Sequence, residues 1–583
     1  MPNRFRLALP LAPLPACAAC AIGGVAQALA FPGAGLYPLI FVCLIPLYLA
    51  AFRQKPGRAF LCGWVHGMAL GLGSFSWLSG VMSGYGGLGP WGGALVLFIL
   101  AAVMALYQGL FAWAVAGWDA EGRGFLLSPL FAAVCWTGLD WLKNWIFTGF
   151  NWTPLAGALS QNPRLLGACD LVGAYGLGLP VSLVNFLLAA LIVIPWRRRP
   201  IEASVAAAGA LACLMGLSLY GIITYNVWED EARAAPKMKI SVLQASVAQE
   251  YKWDAAYRDE ILGRYRDLAL AAAKEKPFLV IWPETAAPFA YGQDAVETER
   301  LRALIAEAGA TMLAGVAVAV ADGLTGGHTL RNRAWLLYPD GTEGPFYDKQ
   351  HLVPFGEYVP LLDRLPFLRS AFLQGVLGAA GNFSPGERRP PLEYEGVKFG
   401  PLICFESIFP YLARRQAAAG ADVLLVTTND AWFGRSKASI QHFRHAALRA
   451  AETRLPLVRA ANNGISGFFS PSGRALSLSP QNEVAFYAYE VPMAGRATPT
   501  LYVRGGYLLA PLCAAAAAAA LLALLFIRIR GGPPGGAPSP PSGGSPPPPA
   551  PGGSRAKAGP APGPLRPRKG GRGGKGGKGK KRR

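Results

Sequence analysis

The stretch GPLICFESIFP (residues 400–410) joins a run of apolar residues to a cysteine and a glutamate. Continuous apolar runs are typical of strands that are buried on both faces in layered α/β domains. FLVIW (278–282) and VLLV (423–426) have the same character. We therefore predict a layered α/β domain around Cys404 that contains all three runs as strands.

The predicted domain occupies about residues 225–506, the only long polar segment of the chain before its C-terminal tail. Apolar runs and alternating patterns predict strands at 238–247, 277–284, 311–318, 333–338, 397–404, 422–427, 456–460, 465–470 and 484–490. Helical spacing of apolar residues predicts helices at 254–276, 297–308 and 438–454.

The remainder of the chain is strongly apolar. The 583 residues are 52% hydrophobic with a mean hydropathy of +0.30, which is unusual for a soluble protein. Blocks of roughly 20 residues, the length that crosses a bilayer core, predict about eight membrane-spanning helices. These blocks are 7–30, 36–52, 59–82, 91–118, 125–147, 165–195, 201–224 and 507–529. The first block is interpreted as a retained helix and not as a cleaved signal.

The loops between these blocks are asymmetric in charge. Lys and Arg are retained on the cytoplasmic side of a membrane. The basic residues that flank the blocks are Arg4, Arg6, Arg53, Lys55, Arg58, Arg123, Arg197, Arg198, Arg199, Arg528 and Arg530. They share one side if both termini are cytoplasmic, so 225–506 is predicted to lie outside the cytoplasm. The predicted domains are a seven-span membrane domain (1–224), the α/β domain (225–506), an eighth membrane helix (507–530) and a Pro/Gly-rich basic cytoplasmic tail (531–583).

Cys404 is the only cysteine of the predicted outer domain, because the other eight lie in or at the predicted spans. An unpaired thiol in an oxidising compartment is either buried and inert or reactive. Glu284 and Lys349 also end or follow predicted strands, and strand ends are where layered α/β folds gather their sites. A carboxylate, an ammonium and a thiol in one pocket suit acyl transfer, with Glu284 as general base and Lys349 facing the oxyanion.

The ordered motifs WPE (282–284), YDKQHLVPFGEYVP (347–360), ICFE (403–406) and TTNDAWFG (427–434) resemble those of the apolipoprotein N-acyltransferases, membrane-anchored members of the nitrilase superfamily. The resemblance runs from the first span to the eighth. It implies an αββα nitrilase-like domain. It also implies a Glu284–Lys349–Cys404 triad. The further residues that it implies are the assisting Glu357 and Glu406 and the substrate-binding Trp253, Asn429 and Trp432.

Two positions depart from the family pattern: Phe405 stands where tyrosine is common, and QAS (244–246) stands where the family usually has QGN. Neither touches the predicted triad.

The reaction implied by the resemblance has two steps. Cys404 takes an acyl chain from a phospholipid, typically phosphatidylethanolamine, and the thioester then acylates the α-amino group of a diacylglyceryl-cysteine on an apolipoprotein. This would take place at the bacterial inner membrane, with the α/β domain in the periplasm. No cofactor, metal or nucleic-acid partner is expected. A membrane-tethered amidase or nitrilase with the same triad remains an alternative, as does a transporter that carries an outer sensor domain.

Three further features complete the sequence. Residues 360–381 carry several apolar side chains and are expected either to form a mobile arm at the bilayer interface or to pack as an ordinary helix. From Arg555 onward the tail holds twelve Lys or Arg and no acid, which favours anionic headgroups over nucleic acid as its partner. His442 and His445 are spaced to touch a metal, but no third ligand is apparent.

Overall fold

A computed structural model describes residues 13–119, 124–321, 328–358, 383–494, 498–530 and Gly563. The described residues up to Ala234 are mainly helical. Their helices are α1 (Pro13–Ala30), α2 (Ile45–Ala51), α3 (Pro56–Ser74), α4 (Trp77–Gly84), α5 (Gly89–Asp119), α6 (Leu127–Leu142), α7 (Leu155–Leu159), α8 (Cys169–Val193) and α9 (Pro200–Ala234). Near the end of the described chain lie a short helix, α14 (Leu501–Arg504), and a long one, α15 (Leu509–Arg530).

Each predicted membrane block coincides with helical structure. Four helices are long and apolar enough to cross a membrane: α5, α8, α9 and the segment Gly506–Phe526. The pair α3 and α4 qualifies as a fifth span although it bends by 60°. The apolar helices at Leu14–Ala30, Tyr37–Ala51 and Leu127–Leu142 are shorter. The chain is therefore a membrane protein by composition, and the count of eight spans stays a prediction.

Small residues bring α3 and α5 close together. Gly63, Gly67 and Gly71 follow one another at four-residue intervals on α3 and face Ala101, Ala105 and Gln108 of α5. A Cβ atom on Gly67 would stand 2.5 Å from the Cα of Ala105, closer than real Cβ contacts allow. A stripe of small residues is the usual way in which apolar helices reach close backbone contact in a membrane, where burial of apolar surface drives little association.

Residues 237–492 form the α/β domain. Its first sheet contains β1 (Lys237–Gln244), β2 (Leu279–Ile281), β3 (Ala290–Tyr291), β4 (Met312–Ala321), β5 (His328–Leu337), β6 (Glu343–Asp348) and β13 (Ala485–Pro492). Its second sheet contains β7 (Leu392–Tyr394), β8 (Val397–Ile403), β9 (Val423–Thr428), β10 (Leu457–Ala461), β11 (Gly467–Phe469) and β12 (Ala475–Leu478). The helices are α10 (Arg258–Ala273), α11 (Ala295–Ala308), α12 (Pro410–Ala418) and α13 (Ala438–Thr453).

The strand order is β13-β1-β2-β4-β5-β6 in the first sheet, with β3 paired to β4, and β12-β11-β10-β9-β8-β7 in the second. Each sheet has a parallel centre, β1-β2-β4 in one and β8-β9-β10 in the other. Carboxyl ends of parallel strands meet at one edge, and the candidate site is built from residues that follow β1, β2, β8 and β9.

The two sheets pack face to face. Ile240 and Ile281 of the first sheet share one buried cluster with Ile403 and Leu425 of the second. The outer face of the first sheet is covered by α10 and α11, and that of the second by α12, α13 and the membrane helices. Neighbouring residues on one strand, such as Leu424 and Leu425, thus enter different clusters. This explains the continuous apolar runs and confirms the predicted nitrilase-like layering.

Buried polar contacts join the α/β domain to the membrane helices. Arg454, just after α13, pairs with Asp170 of α8 at 3.0 Å. Glu452 accepts a hydrogen bond from the backbone N–H of Ala174 at 2.8 Å, where Gly173 leaves helical geometry. Because unpaired buried charges are costly, these contacts hold the domain in one position on α8.

Candidate active site

Cys404 lies at a sharp turn between β8 and a short 3₁₀ helix, Cys404–Ile408. Its φ of +54° is in the left-handed region, which costs a non-glycine residue on the order of 1–3 kcal/mol and occurs most often at functional sites. The Cys404 carbonyl accepts hydrogen bonds from Ser407 Oγ at 2.8 Å and from His442 Nε2 at 3.0 Å. These contacts hold the strained turn. Cys404 as a whole residue has intermediate exposure, although burial dominates the surroundings of its thiol.

Lys349 is buried between two carboxylates. Its Nζ lies 3.0 Å from Glu284 Oε1 and 2.9 Å from Glu357 Oε1. Asn332 Nδ2 donates to the same two oxygens, at 2.7 Å and 3.2 Å. Lys349 directly follows β6, and its backbone N–H continues the ladder to the carbonyl of Asn332 at 2.8 Å. The structure thus brings Glu284, Lys349 and Glu357 together, as the sequence predicts.

Electrostatics keep Glu284 charged. Burial alone would raise the pKa of its carboxyl, but Lys349 and Lys252 outweigh burial and lower it. Lys349 in turn has a raised pKa, because the two carboxylates overcome the effect of burial. Burial and the charge of Glu284 raise the pKa of the Cys404 thiol, while Lys349 lowers it in part. At neutral pH the site therefore holds a protonated thiol and a charged carboxylate that influences it electrostatically, the two groups that general-base catalysis would use.

Glu406 connects the segment that carries Cys404 to the segment that carries Lys349. Its carboxylate accepts backbone N–H bonds from Ile403 at 2.7 Å, Gln350 at 2.7 Å and His351 at 3.0 Å. Tyr347 donates its hydroxyl to both carboxylate oxygens, at 3.0 and 3.1 Å. Burial raises the pKa of Glu406 to about 7, although the backbone donors oppose this. The geometry makes Glu406 a positioning residue.

The three predicted substrate-binding residues lie in different surroundings. Trp253 is 39% exposed. Trp432 is half-buried and packs edge-on against Tyr85 of the membrane region, with ring centroids 5.3 Å apart. Asn429 is buried, and its backbone N–H donates to Glu284 Oε2 at 2.9 Å. The side chain of Asn429 hydrogen-bonds to Gln249 and Asn462, so Asn429 contacts the predicted base through its backbone.

Aromatic residues border the position that follows Cys404. Phe405 is stacked near Phe150 of the apolar helical region, with ring centroids 6.4 Å apart. The Phe405 ring also packs edge-on against Phe409 at 5.0 Å. Phenylalanine in place of tyrosine at this position thus fills an apolar cluster, which joins the segment that carries Cys404 to the helical region.

Two contributors escaped the sequence prediction. Asn332 bridges Glu284 and Glu357, and Lys252 donates from Nζ to the backbone carbonyl of Glu284 at 3.0 Å. The sequence offered little signal: Asn332 lies between Arg331 and Arg333, just before the predicted strand 333–338, and Lys252 precedes Trp253.

The two histidines considered as metal ligands are occupied in the described structure. His442 Nδ1 lies 3.0 Å from Asp430 Oδ1, and His445 Nε2 lies 3.1 Å from the carbonyl of Trp152. Within the described part of the chain, no group of three or more His, Cys, Asp or Glu side chains could hold a metal ion. His442 instead supports the Cys404 turn.

Comparison with known proteins gives the class of the α/β domain. Residues 239–495 match the family model described as Carbon-nitrogen hydrolase, so this part of the chain is a carbon-nitrogen-hydrolase-like domain. Residues 23–187 match the model described as Apolipoprotein N-acyltransferase N-terminal domain. The Nit3 structure from Saccharomyces cerevisiae is 19% identical, covers 44% of this chain and 90% of that chain, and has a TM-score of 0.34.

Two curated relatives match almost the full length. The apolipoprotein N-acyltransferase of Geobacter metallireducens is 35% identical over 498 residues, which cover 84% of this chain and 92% of the relative. That of Pseudomonas putida is 32% identical and covers 84% of this chain and 93% of the relative. The chain belongs to the apolipoprotein N-acyltransferase family, and it is an acyltransferase.

Proposed function

We propose that this enzyme acylates the N-terminal diacylglyceryl-cysteine of apolipoproteins, using a phospholipid as acyl donor and Cys404 as the covalent carrier. The observation that supports this most directly is the buried Glu284–Lys349 pair beside the strained, partly exposed Cys404. The names of the curated relatives support the lipoprotein acceptor.

In the first step, Glu284 takes the thiol proton as Cys404 Sγ attacks the sn-1 ester carbonyl of the phospholipid. The tetrahedral oxyanion is stabilised by Lys349 and by the backbone N–H that follows Cys404. Collapse breaks the bond to the glycerol oxygen, which receives the proton from Glu284 and leaves as lysophospholipid. The acyl chain remains as a thioester on Cys404.

In the second step, the α-amino group of the acceptor attacks the thioester carbonyl. Glu284 takes a proton from the attacking nitrogen, and collapse expels the sulfur of Cys404, which receives that proton. The product is an amide, and the enzyme returns to its starting state. Glu357 and Asn332 hold Lys349 and Glu284 in place through both steps.

The donor is proposed to be phosphatidylethanolamine. The contact of Phe405, the residue after Cys404, with Phe150 of the apolar helical region favours a donor taken directly from the membrane. Each methylene of an acyl chain costs about 0.8 kcal/mol when it is moved into water. A nucleophile beside the leaflet avoids this cost. A position beside the leaflet also favours acyl transfer over the alternative function, a hydrolase that acts on small soluble amides.

The proposed location is the bacterial inner membrane, with residues 225–506 in the periplasm and both termini cytoplasmic. The distribution of Lys and Arg among the loops supports this orientation. The domain division at 1–224, 225–506, 507–530 and 531–583 is part of the same proposal. The predicted interfacial arm at 360–381 and most of the tail lie outside the described residues.

The deciding experiment detects the carrier. Purified full-length enzyme incubated with phosphatidylethanolamine vesicles should gain one fatty-acyl mass on Cys404, and neutral hydroxylamine should remove it. Adding a synthetic diacylglyceryl-cysteine peptide should move that mass to the peptide amine. Cys404→Ser should lose the adduct, whereas Cys213→Ser, which changes a cysteine on α9, should keep it.

Two results would overturn the proposal. Full activity of Cys404→Ser would exclude a thioester intermediate, since a serine hydroxyl is far less acidic than a thiol. Release of free fatty acid at the same rate with and without the peptide would indicate a hydrolase.

A further inference from the structure

Lys252 is a buried cation that neither the predicted triad nor its assisting glutamates explain. It lies after β1, at the sheet edge that Glu284 also occupies, and only 2% of its surface is exposed. Its Nζ donates to the backbone carbonyl of Glu284 at 3.0 Å. The side chain is therefore held at the candidate site itself and does not extend to solvent.

Unlike Lys349, Lys252 has no carboxylate partner. Lys349 forms ion pairs with both Glu284 and Glu357, whereas no carboxylate oxygen of the described residues lies within 4.0 Å of Lys252 Nζ. An ammonium has three N–H donors, and the described structure uses one of them here. Burying a cation without a partner is costly, so a lysine at this position requires an explanation.

The charged and titratable groups that act on Lys252 are those of the candidate site. Glu284 and Cys404 attract its positive charge, and Lys349 repels it. Burial is the largest influence and lowers the pKa of Lys252 to about 8. The ammonium form consequently predominates at neutral pH, and it interacts electrostatically with a thiol that must become negative during the proposed reaction.

We infer that Lys252 is a second cation of the thiol pocket, which stabilises negative charge on Cys404 Sγ and on the oxygen of the attacked acyl group. The inference rests on the proposed role of Cys404. The charge of Glu284 is already balanced by Lys349 at 3.0 Å and by two N–H donors. The electrostatic stabilisation that Lys252 provides is therefore greatest when negative charge moves from that carboxylate to the sulfur or to the acyl oxygen.

The test measures the reactivity of the thiol without any acyl substrate. Purified full-length enzyme is treated with iodoacetamide between pH 6 and 10, and alkylation of Cys404 is followed by peptide mass. Lys252→Met should alkylate about tenfold more slowly than wild type at pH 8, which corresponds to one unit in the thiol pKa. Lys252→Arg, which keeps the charge, should remain close to wild type up to about pH 8. Lys239→Met, the same change on a partly exposed lysine of β1, is the matched control.

The wild-type profile gives a second readout if Lys252→Met does not fold. Thiol reactivity should rise less steeply above about pH 8, where Lys252 loses its proton, and Lys252→Arg should lack this break. Wild-type reactivity of Lys252→Met at every pH, or a profile shared by wild type and Lys252→Arg, would overturn the inference. Either result would leave the acyl-thioester on Cys404 intact, whereas absence of the thioester in wild type would refute the proposed function itself.

Discussion

Replacing Lys349 with methionine tests the centre of the proposed mechanism. The side chain keeps its approximate length and apolar stem but loses the ammonium that lies 3.0 Å from Glu284 and 2.9 Å from Glu357. The two carboxylates would then share only Asn332 as a common donor. Because two negative charges close together in a buried site repel each other strongly, one carboxyl should become protonated at neutral pH.

The expected loss combines two effects. Removing an oxyanion donor typically costs about 10²–10³ in rate. A protonated Glu284 can no longer accept the thiol proton, and positioned general bases contribute about 10²–10⁴. We therefore expect thioester formation to fall by at least about 10⁴. Breaking a buried ion pair also destabilises a protein by about 3–5 kcal/mol, an upper value here because a carboxyl can take up a proton.

A double variant separates folding from chemistry. Glu357→Gln on the Lys349→Met background removes the surplus charge, so thermal unfolding in detergent should return towards the wild-type temperature. Thioester formation, followed by intact mass after mixing with phospholipid vesicles, should stay at the level of Lys349→Met. Glu357→Gln alone keeps the pair between Lys349 and Glu284 and should lose less activity. A Lys349→Met enzyme that forms thioester within tenfold of the wild-type rate would refute this reasoning.

Three further predictions address the surroundings of the site. Glu406→Gln replaces one accepting oxygen with an NH₂ donor, so at least one of the backbone N–H groups of Ile403, Gln350 and His351 loses its acceptor. The unfolding temperature and the rate of thioester formation should both drop, and an unchanged rate in folded protein would exclude the positioning role. Burial, with a smaller effect of Lys349, lowers the pKa of His351 from 6.5 to about 4. Between these pH values the unfolded chain binds more protons than the folded chain. The free energy of unfolding should therefore fall by up to about 3 kcal/mol as the pH drops from 6.5 to 4. His351→Gln should flatten that dependence, and an unaltered acid transition would contradict it. Deleting 531–583 should leave specific activity within about threefold in purified enzyme, and a large loss would give the tail a role in the chemistry.

The layered fold was predictable because burial on both faces leaves a mark on each central strand. Successive residues of β8 and β9 enter the inner and outer clusters, so β8 ends on the apolar pair Leu402 and Ile403 and β9 begins with the apolar run 423–426. The strands β3, β7 and β12 escaped prediction because they are two to four residues long and lie off the central path or at the edge of a sheet. Strand β6 was missed because Gly344 and Pro345 interrupt its pattern.

The residues proposed as the triad stand out in the sequence for a different reason. Glu284 and Cys404 are polar residues at the ends of apolar runs, and Lys349 lies within a long motif. Asn332 and Lys252 carry no such mark, because their partners are distant in sequence: Asn332 lies 48 residues from Glu284, and Lys252 lies 32 residues from it. Such contacts follow from the pairing of strands, which no local pattern specifies.

The protonation state of the resting thiol is suited to the oxidising compartment proposed for the site. Thiolates, and not thiols, react with oxidants and disulfides, so a permanent thiolate in the periplasm would be oxidised. Burial and the charge of Glu284 raise the pKa of Cys404, which keeps its proton until an acyl carbonyl arrives and the oxyanion can be stabilised by Lys349. We therefore expect Cys404 in folded enzyme to react with iodoacetamide at pH 7.5 more than about tenfold more slowly than the same residue in denatured chain. Equal rates would mean that the thiol is already ionised at rest, and that Glu284 does not need to act as its base.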